Sequence, residues 1–120
     1  MYKVFDAHCH IYPDKIAEKA SESIGRFYDM PMCYDGKVST LEKIGERAGV
    51  KKYLVQSVAT TPHQVRSINE FISSTVNSAP ERYVGFGTLH PDSPDIAGDL
   101  EHLKELGLHG VKLHPDVQGF

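Results

Sequence analysis

Apolar positions along the chain change their spacing several times, and each change marks an element. Residues 3–10, Lys-Val-Phe-Asp-Ala-His-Cys-His, read as a strand that Pro13 and Asp14 end. Beyond it, Ile16, Ala17, Ala20, Ile24 and Phe27 share one helical face, with Asp14 placed as the N-cap. Residues 29–38 contain Pro31 and the Asp35-Gly36 turn pair and read as a loop. Ser39 and Glu42 have capping-box spacing, and the helix they open stops near Gly49. Residues 52–59 form the second predicted strand. Thr61, Pro62 and Gln64 then make a second capping box, with proline at the first helical position. The helix they start buries Val65, Ile68, Phe71, Ile72 and Val76. A third strand is predicted at 82–89. Next comes a helix capped by Ser93, with Pro94 at its start, Ile96, Leu100, Leu103 and Leu106 on one face, and Gly107 as its stop. The fourth strand is predicted at 109–114.

Strands separated by helices imply parallel pairing through right-handed crossovers. The fold class is therefore α/β. Four such units make either a small open sheet or about half of a (β/α)8 barrel, which takes about 250 residues. The chain ends soon after its fourth strand, with no helix to cover it. The expectation is thus one partial barrel domain over residues 1–120, the N-terminal portion of a longer protein or a half-barrel completed by association. Residues 12–38 are longer than a crossover needs and read as an insertion after the first strand. Tyr28, Met30, Met32, Cys33 and Tyr34 are candidates for an apolar lid on it. Leu-His-Pro-Asp occurs twice, at 89–92 and 113–116, each time at a strand end. Either Pro-Asp simply suits the exit from a strand, or a strand-helix unit has been duplicated.

Composition narrows the class of function. Forty per cent hydrophobic and 24% charged residues are globular proportions, which exclude a disordered chain or a collagen-like fibre. No apolar run is long enough for a membrane span, and a charge within the first few residues argues against a secretory leader. Thirteen basic residues against sixteen acidic ones give a net charge of −3, with no basic run to meet a nucleic acid. Cys9 and Cys33 are expected to stay thiols in a cytoplasmic setting.

The chemistry concentrates in Asp6-Ala7-His8-Cys9-His10. Strict alternation on a strand puts Asp6, His8 and His10 on one face and Phe5, Ala7, Cys9 and Ile11 on the other. Two imidazoles two residues apart at a strand's C-terminal end can reach one metal ion, and imidazole suits zinc, iron, nickel and manganese. Cys9 then packs as a small hydrophobe. The alternative is a pair of histidines with only local hydrogen bonds. Asp6 is a candidate to orient a ligating imidazole, or else a cap for strand amides. On the fourth strand Lys112 and His114 share a face, and His114 is a candidate substrate contact or extra ligand. Lys112 is a candidate partner for a substrate carboxylate. His90, at the end of the third strand, is a weaker candidate substrate contact because Pro91 turns the chain at once. His63, His102 and His109 read as surface or packing residues.

Phe5-Asp6-Ala7-His8-Cys9-His10-Ile11 resembles the opening motif of the amidohydrolase superfamily. Tyr83–Pro91 and Gly110-Val111-Lys112-Leu113-His114-Pro115 with Gln118-Gly119-Phe120 resemble the third and fourth strands of its amidohydrolase-2 branch. That branch contains TIM-barrel metal hydrolases and non-oxidative decarboxylases. The resemblance implies that His8 and His10 are metal ligands. It also implies further ligands on later strands: a histidine on the fifth, another near the sixth and an aspartate on the eighth. It makes Lys112 a position to compare with the carbamylated lysine of other branches. It implies a divalent metal, zinc first with manganese or iron as alternatives, and a small carboxylated or cyclic substrate. The leading expectation is hydrolysis by a metal-activated water, with decarboxylation by the same site as the alternative. Small-molecule substrate, no nucleic acid, no membrane and a possible homo-oligomer complete the expected partners. A TatD-type DNase also suits His8-Cys9-His10, but that family places a metal-bridging glutamate on the fourth strand, where this chain has Lys112 and His114. The non-enzymatic alternative is a half-barrel assembly module.

Overall fold

A computed structural model describes residues 2–120. Strand β1 (Val4–His10) leads into α1 (Ala17–Tyr28) and α2 (Val38–Arg47), then β2 (Val50–Gln56). A 3-10 turn at Pro62–Gln64 opens α3 (Val65–Ser78). The chain continues through β3 (Tyr83–Gly85), β4 (Gly87–Thr88), α4 (Ile96–Glu105), β5 (Val111–Lys112) and a short α5 (Pro115–Gln118). All strand pairs are parallel, in the orders β1-β2-β3 and β4-β5.

The two sheets are one curving layer. The Phe86 amide donates to Val55 O at 3.0 Å on one side, while the His109 amide donates to Gly85 O at 3.1 Å on the other. The run predicted as a single strand at 82–89 is thus split at Phe86, where it turns from β2 toward β5. The turn is possible because Gly85 carries no side chain. A Cβ there would lie 2.8 Å from both Leu108 Cδ2 and Val76 Cγ2. Cys9, Ile11, Tyr53, Val55, Ile72, Tyr83, Leu103 and Leu108 form the core between this layer and its helices.

Several predicted boundaries move. Asp14 does not cap α1, whose N-cap is Ile16 with no side-chain cap. Ser39 does not cap α2 either. That helix starts after Lys37, whose amide donates to Asp35 Oδ1 at 3.0 Å. Glu42 instead accepts the Tyr83 hydroxyl and pairs with Arg82 at 3.7 Å. Asp95 rather than Ser93 caps α4, accepting the Gly98 amide at 2.9 Å. The Ser93 hydroxyl donates to Asp99 Oδ2 at 2.5 Å. The second strand sits earlier than predicted and the fourth is only two residues long. Gln64 does close its box, with Oε1 accepting the Thr60 and Thr61 amides at 2.8 and 3.3 Å. Gly49 and Gly107 end their helices at φ +75° and +76°, a region that disfavours a Cβ.

Helix α1 buries only Ala17 fully from the apolar face its sequence predicts, with Ser21 and Gly25 completing the buried stripe. Ala17, Ser21 and Gly25 are buried, whereas Ile16 and Phe27 are exposed. The small stripe lets the loop after α1 fold back against the helix. Ser21 Oγ donates to Tyr34 O at 2.7 Å and the Met30 amide donates to Gly25 O at 2.9 Å. Tyr12 and Lys37 then meet in a parallel bridge, so residues 12–37 leave the sheet and return to nearly the same place. No helix among the described residues is long and apolar enough to cross a membrane.

Candidate metal-binding site

The end of β1 brings its two histidines together. His8 Nε2 and His10 Nε2 lie 3.1 Å apart. Two imidazole nitrogens each about 2.0–2.1 Å from one tetrahedral ion would stand roughly 3.3 Å apart, so the pair fits a shared metal as it stands. Burial first, then the charges of His8, Lys112 and His114, push the His10 imidazole down to about 4. A ring that resists protonation keeps its lone pair for a metal. Among the described residues no third histidine, cysteine or acidic side chain joins the pair closely enough to ligate the same ion.

Asp6 is not part of this face. Between Asp6 and Cys9 the register against β2 slips, with Asp6 opposite Tyr53 and Cys9 opposite Val55. Three steps of β1 therefore match two of β2, and the extra residue breaks the strict alternation. Asp6 falls on the side of the buried Tyr53 and Cys9. Its Oδ1 accepts the His8 main-chain amide at 3.1 Å, so its carboxylate holds the strand rather than an imidazole. Cys9 faces the core, and burial, with Asp6 beside it, pushes its thiol up to about 12.

His114 reaches the site from the other end of the sheet. It is the N-cap of α5, with Nδ1 accepting the Val117 amide at 3.4 Å. Its Nε2 lies 2.5 Å from the hydroxyl oxygen of Tyr28, 86 residues earlier in the chain. With Nδ1 acting as acceptor, the ring carries its proton on Nε2 and donates it to Tyr28. The hydroxyl proton of Tyr28 is then left for another acceptor. Lys112, half-buried, contributes positive charge beside His10 and forms no ion pair among the described residues.

His90 is separate from these groups. It is buried at 4% exposure, its Nδ1 accepts the Asp92 amide at 3.1 Å, and its Nε2 has no partner among the described residues. The two Leu-His-Pro-Asp copies thus use their imidazoles alike, each holding the turn that follows a strand. Of the residues proposed for a lid, only Tyr28 has a hydrogen bond to a site residue. Met30, Met32, Cys33 and Tyr34 are exposed on the folded-back loop.

Three polar residues that sequence reasoning left without a role fix the strand ends. Asn69 on α3 bonds both main-chain groups of Thr88, at 2.8 and 3.0 Å. Thr88 Oγ1 donates to Lys112 O at 3.1 Å. Gln118 Nε2 donates to Ala59 O and Leu89 O, and its Oε1 accepts the His114 amide. Asn69 sits among the apolar helix positions, and a buried polar residue there was the only available sign.

No protein-family model matches the chain, and no curated protein matches it in sequence. Solved structures match it in fold. The 5-carboxyvanillate decarboxylase LigW from Sphingomonas paucimobilis superposes with a TM-score of 0.68 at 19% identity, over 91% of this chain and 42% of that one. The 4-oxalomesaconate hydratase LigJ from Rhodopseudomonas palustris gives 0.62 at 19% identity, over 97% and 43%. The 2,6-dihydroxybenzoate decarboxylase from Rhizobium gives 0.59 at 17%, over 92% and 38%. The chain has the α/β fold of part of these barrels and spans about two fifths of their length. Decarboxylases among them are the kind of enzyme that the amidohydrolase-2 resemblance includes.

Proposed function

We propose that this chain is the metal-holding N-terminal portion of an amidohydrolase-2 type barrel enzyme that acts on a small carboxylated substrate. The observation that carries this is the convergence of His8 and His10, with Nε2 atoms 3.1 Å apart, at the C-terminal end of a parallel strand. A bound divalent ion would supply Lewis acidity and a water of lowered pKa. The chain's own groups would bind and orient. His8 and His10 would hold the ion through neutral rings. The Lys112 ammonium would attract a carboxylate to the same end of the sheet. Tyr28, fixed by His114, would offer its hydroxyl proton to a substrate oxygen. Further ligands and the group that moves the proton are expected, by the resemblance, on later strands.

The expectation from sequence put hydrolysis first. Two of the solved enzymes named above are decarboxylases and one is a hydratase. That supports carbon–carbon or carbon–oxygen lyase chemistry, and we place non-oxidative decarboxylation ahead of hydrolysis. The test is metal content by mass spectrometry, in the wild type and in His8→Ala/His10→Ala. The expected result is bound metal that falls at least tenfold in the double variant. Equal metal in both, or none in either, would overturn the site. Carbon dioxide release from an aromatic or muconate acid then separates lyase from hydrolase.

A further inference from the structure

Met30, Met32 and Tyr34 have no part in the core or in the metal-binding end, and all three are exposed. They belong to the loop that folds back along α1. The Met30 amide donates to Gly25 O, and Tyr34 O accepts from Ser21 Oγ, so loop and helix run side by side in opposite directions. Between them lies an open hollow of about 650 Å³. Its helix wall is Glu18, Ser21, Glu22 and Gly25, a stripe at i, i+3, i+4 and i+7. Gly25 lets the two walls approach: a Cβ there would lie 2.7 Å from Met30 O and 3.0 Å from Met32 Cγ. The other side of α1 carries Ile16, Ala20 and Ile24 and lines the cleft shared with Ile68 and Phe71, which ends at His10 and His114. The hollow is therefore a second surface, separated from the metal-binding end by the helix itself.

The charge on its rim has one sign in excess. Glu18, Glu22, Asp29 and Asp35 line the hollow against one guanidinium, that of Arg26. Glu18 pairs with Lys37 at 3.5 Å and Glu22 with Arg26 at 3.9 Å, but both carboxylates are exposed, and such surface pairs exchange readily for another cation. Asp29 and Asp35 form no ion pair among the described residues. Asp29 stands at the Gly25 end of the trough and Asp35 at the Ser21 end. Walls of methionine and tyrosine with a carboxylate at each end complement an apolar side chain flanked by cations. Methionines re-pack around an incoming group, and a cluster of exposed apolar side chains with a polar rim marks an interaction surface. A second copy of this chain would bring the same carboxylates against their like, which disfavours self-association here.

We propose that this trough docks a basic segment of a partner protein, with an apolar side chain laid against Met30 and Met32 and with lysine or arginine reaching Asp29 and Asp35. From Glu18 to Gly25 the helix wall runs about 10 Å at 1.5 Å per residue. About three extended residues, or two helical turns, span that length. The docking uses neither metal nor substrate, so it stands apart from the proposed enzyme activity.

The probe is the peptide acetyl-Lys-Arg-Leu-Leu-Lys-Leu-Leu-Arg-Lys-amide, and the readout is amide chemical-shift mapping on the full chain. Shifts are expected at Ser21, Glu22, Gly25, Met30, Met32 and Tyr34. Two control peptides, one with glutamate at every basic position and one with serine at every leucine, are each expected to bind at least tenfold more weakly. Asp29→Asn/Asp35→Asn removes both unpaired charges. Asparagine tolerates the positive φ of Asp29 and can still accept the Lys37 amide at position 35. This variant is expected to weaken the basic peptide at least tenfold with an otherwise unchanged spectrum. Met30→Ser/Met32→Ser, at exposed positions, is expected to do the same. Equal binding of either control peptide, shifts confined to residues outside the trough, or no binding by the wild type would overturn the proposal. Shifts of the same residues with protein concentration alone would assign the trough to a second copy of the chain and overturn it likewise.

Discussion

The two cysteines have opposite fates because Cys9 sits on the core face of β1 and Cys33 on the folded-back loop after α1. Cys9 is 4% exposed and pushed up to about 12 by burial and Asp6, whereas Cys33 is exposed. At about pH 8.5, where an ordinary thiol is half ionised, iodoacetamide should label the native chain once, at Cys33. Two labels by intact mass would show that the end of β1 opens. His10 yields a prediction about pH. In the unfolded chain its ring takes a proton near pH 6.5, whereas in the folded chain burial and its charged neighbours hold it down to about 4. Between those values the unfolded state binds more protons, so folding stability is lost as pH falls through the window. Urea midpoints of the metal-free chain should drop from about pH 7 toward pH 4.5, and His10→Gln should flatten that slope.

At the scale of elements, the site depends on how strand ends are held. Asn69 satisfies both main-chain groups of Thr88, and all of these atoms are buried. Asn69→Ala leaves a buried N–H and C=O unpaired and should cost about 1–3 kcal/mol for each group that water cannot reach. Denaturant unfolding would measure it, and Asn69→Asp should recover only the bond from the Thr88 amide. Gly85→Ala tests the other side of the same turn. Its Cβ would meet Leu108, Val76 and Ile72 within 2.9 Å, and overpacking of this kind costs about 1–3 kcal/mol. The expected effect is on stability, with metal content unchanged.

For the whole molecule, an open layer is the governing fact. Among the described residues, the outer edges of β1 and β5 pair with no other strand. Val4, Phe5 and Leu113 lie at 41%, 51% and 44% exposure. Unpaired strand edges invite association, so the isolated chain should sediment as a dimer or larger species. A monodisperse monomer at high concentration would count against the half-barrel reading.

Much of this was legible from local pattern. The alternation of strands and helices, the stops at Gly49 and Gly107, the Gln64 box and the pairing of His8 with His10 all follow from neighbours a few residues apart. Backbone propensity, caps and side-chain periodicity act at that range. What only the tertiary structure decided depends on groups far apart in sequence. Partner strand β2 imposed the slip that moved Asp6 off the histidine face. The returning loop selected Ala17, Ser21 and Gly25 as the buried face of α1, because close backbone approach favours small residues over a larger apolar stripe. The meeting of Tyr28 with His114, and the cleft that Ile24 shares with Phe71, have no local signature at all. They exist because the parallel crossovers carry α1, α3 and the end of β5 to one end of the sheet.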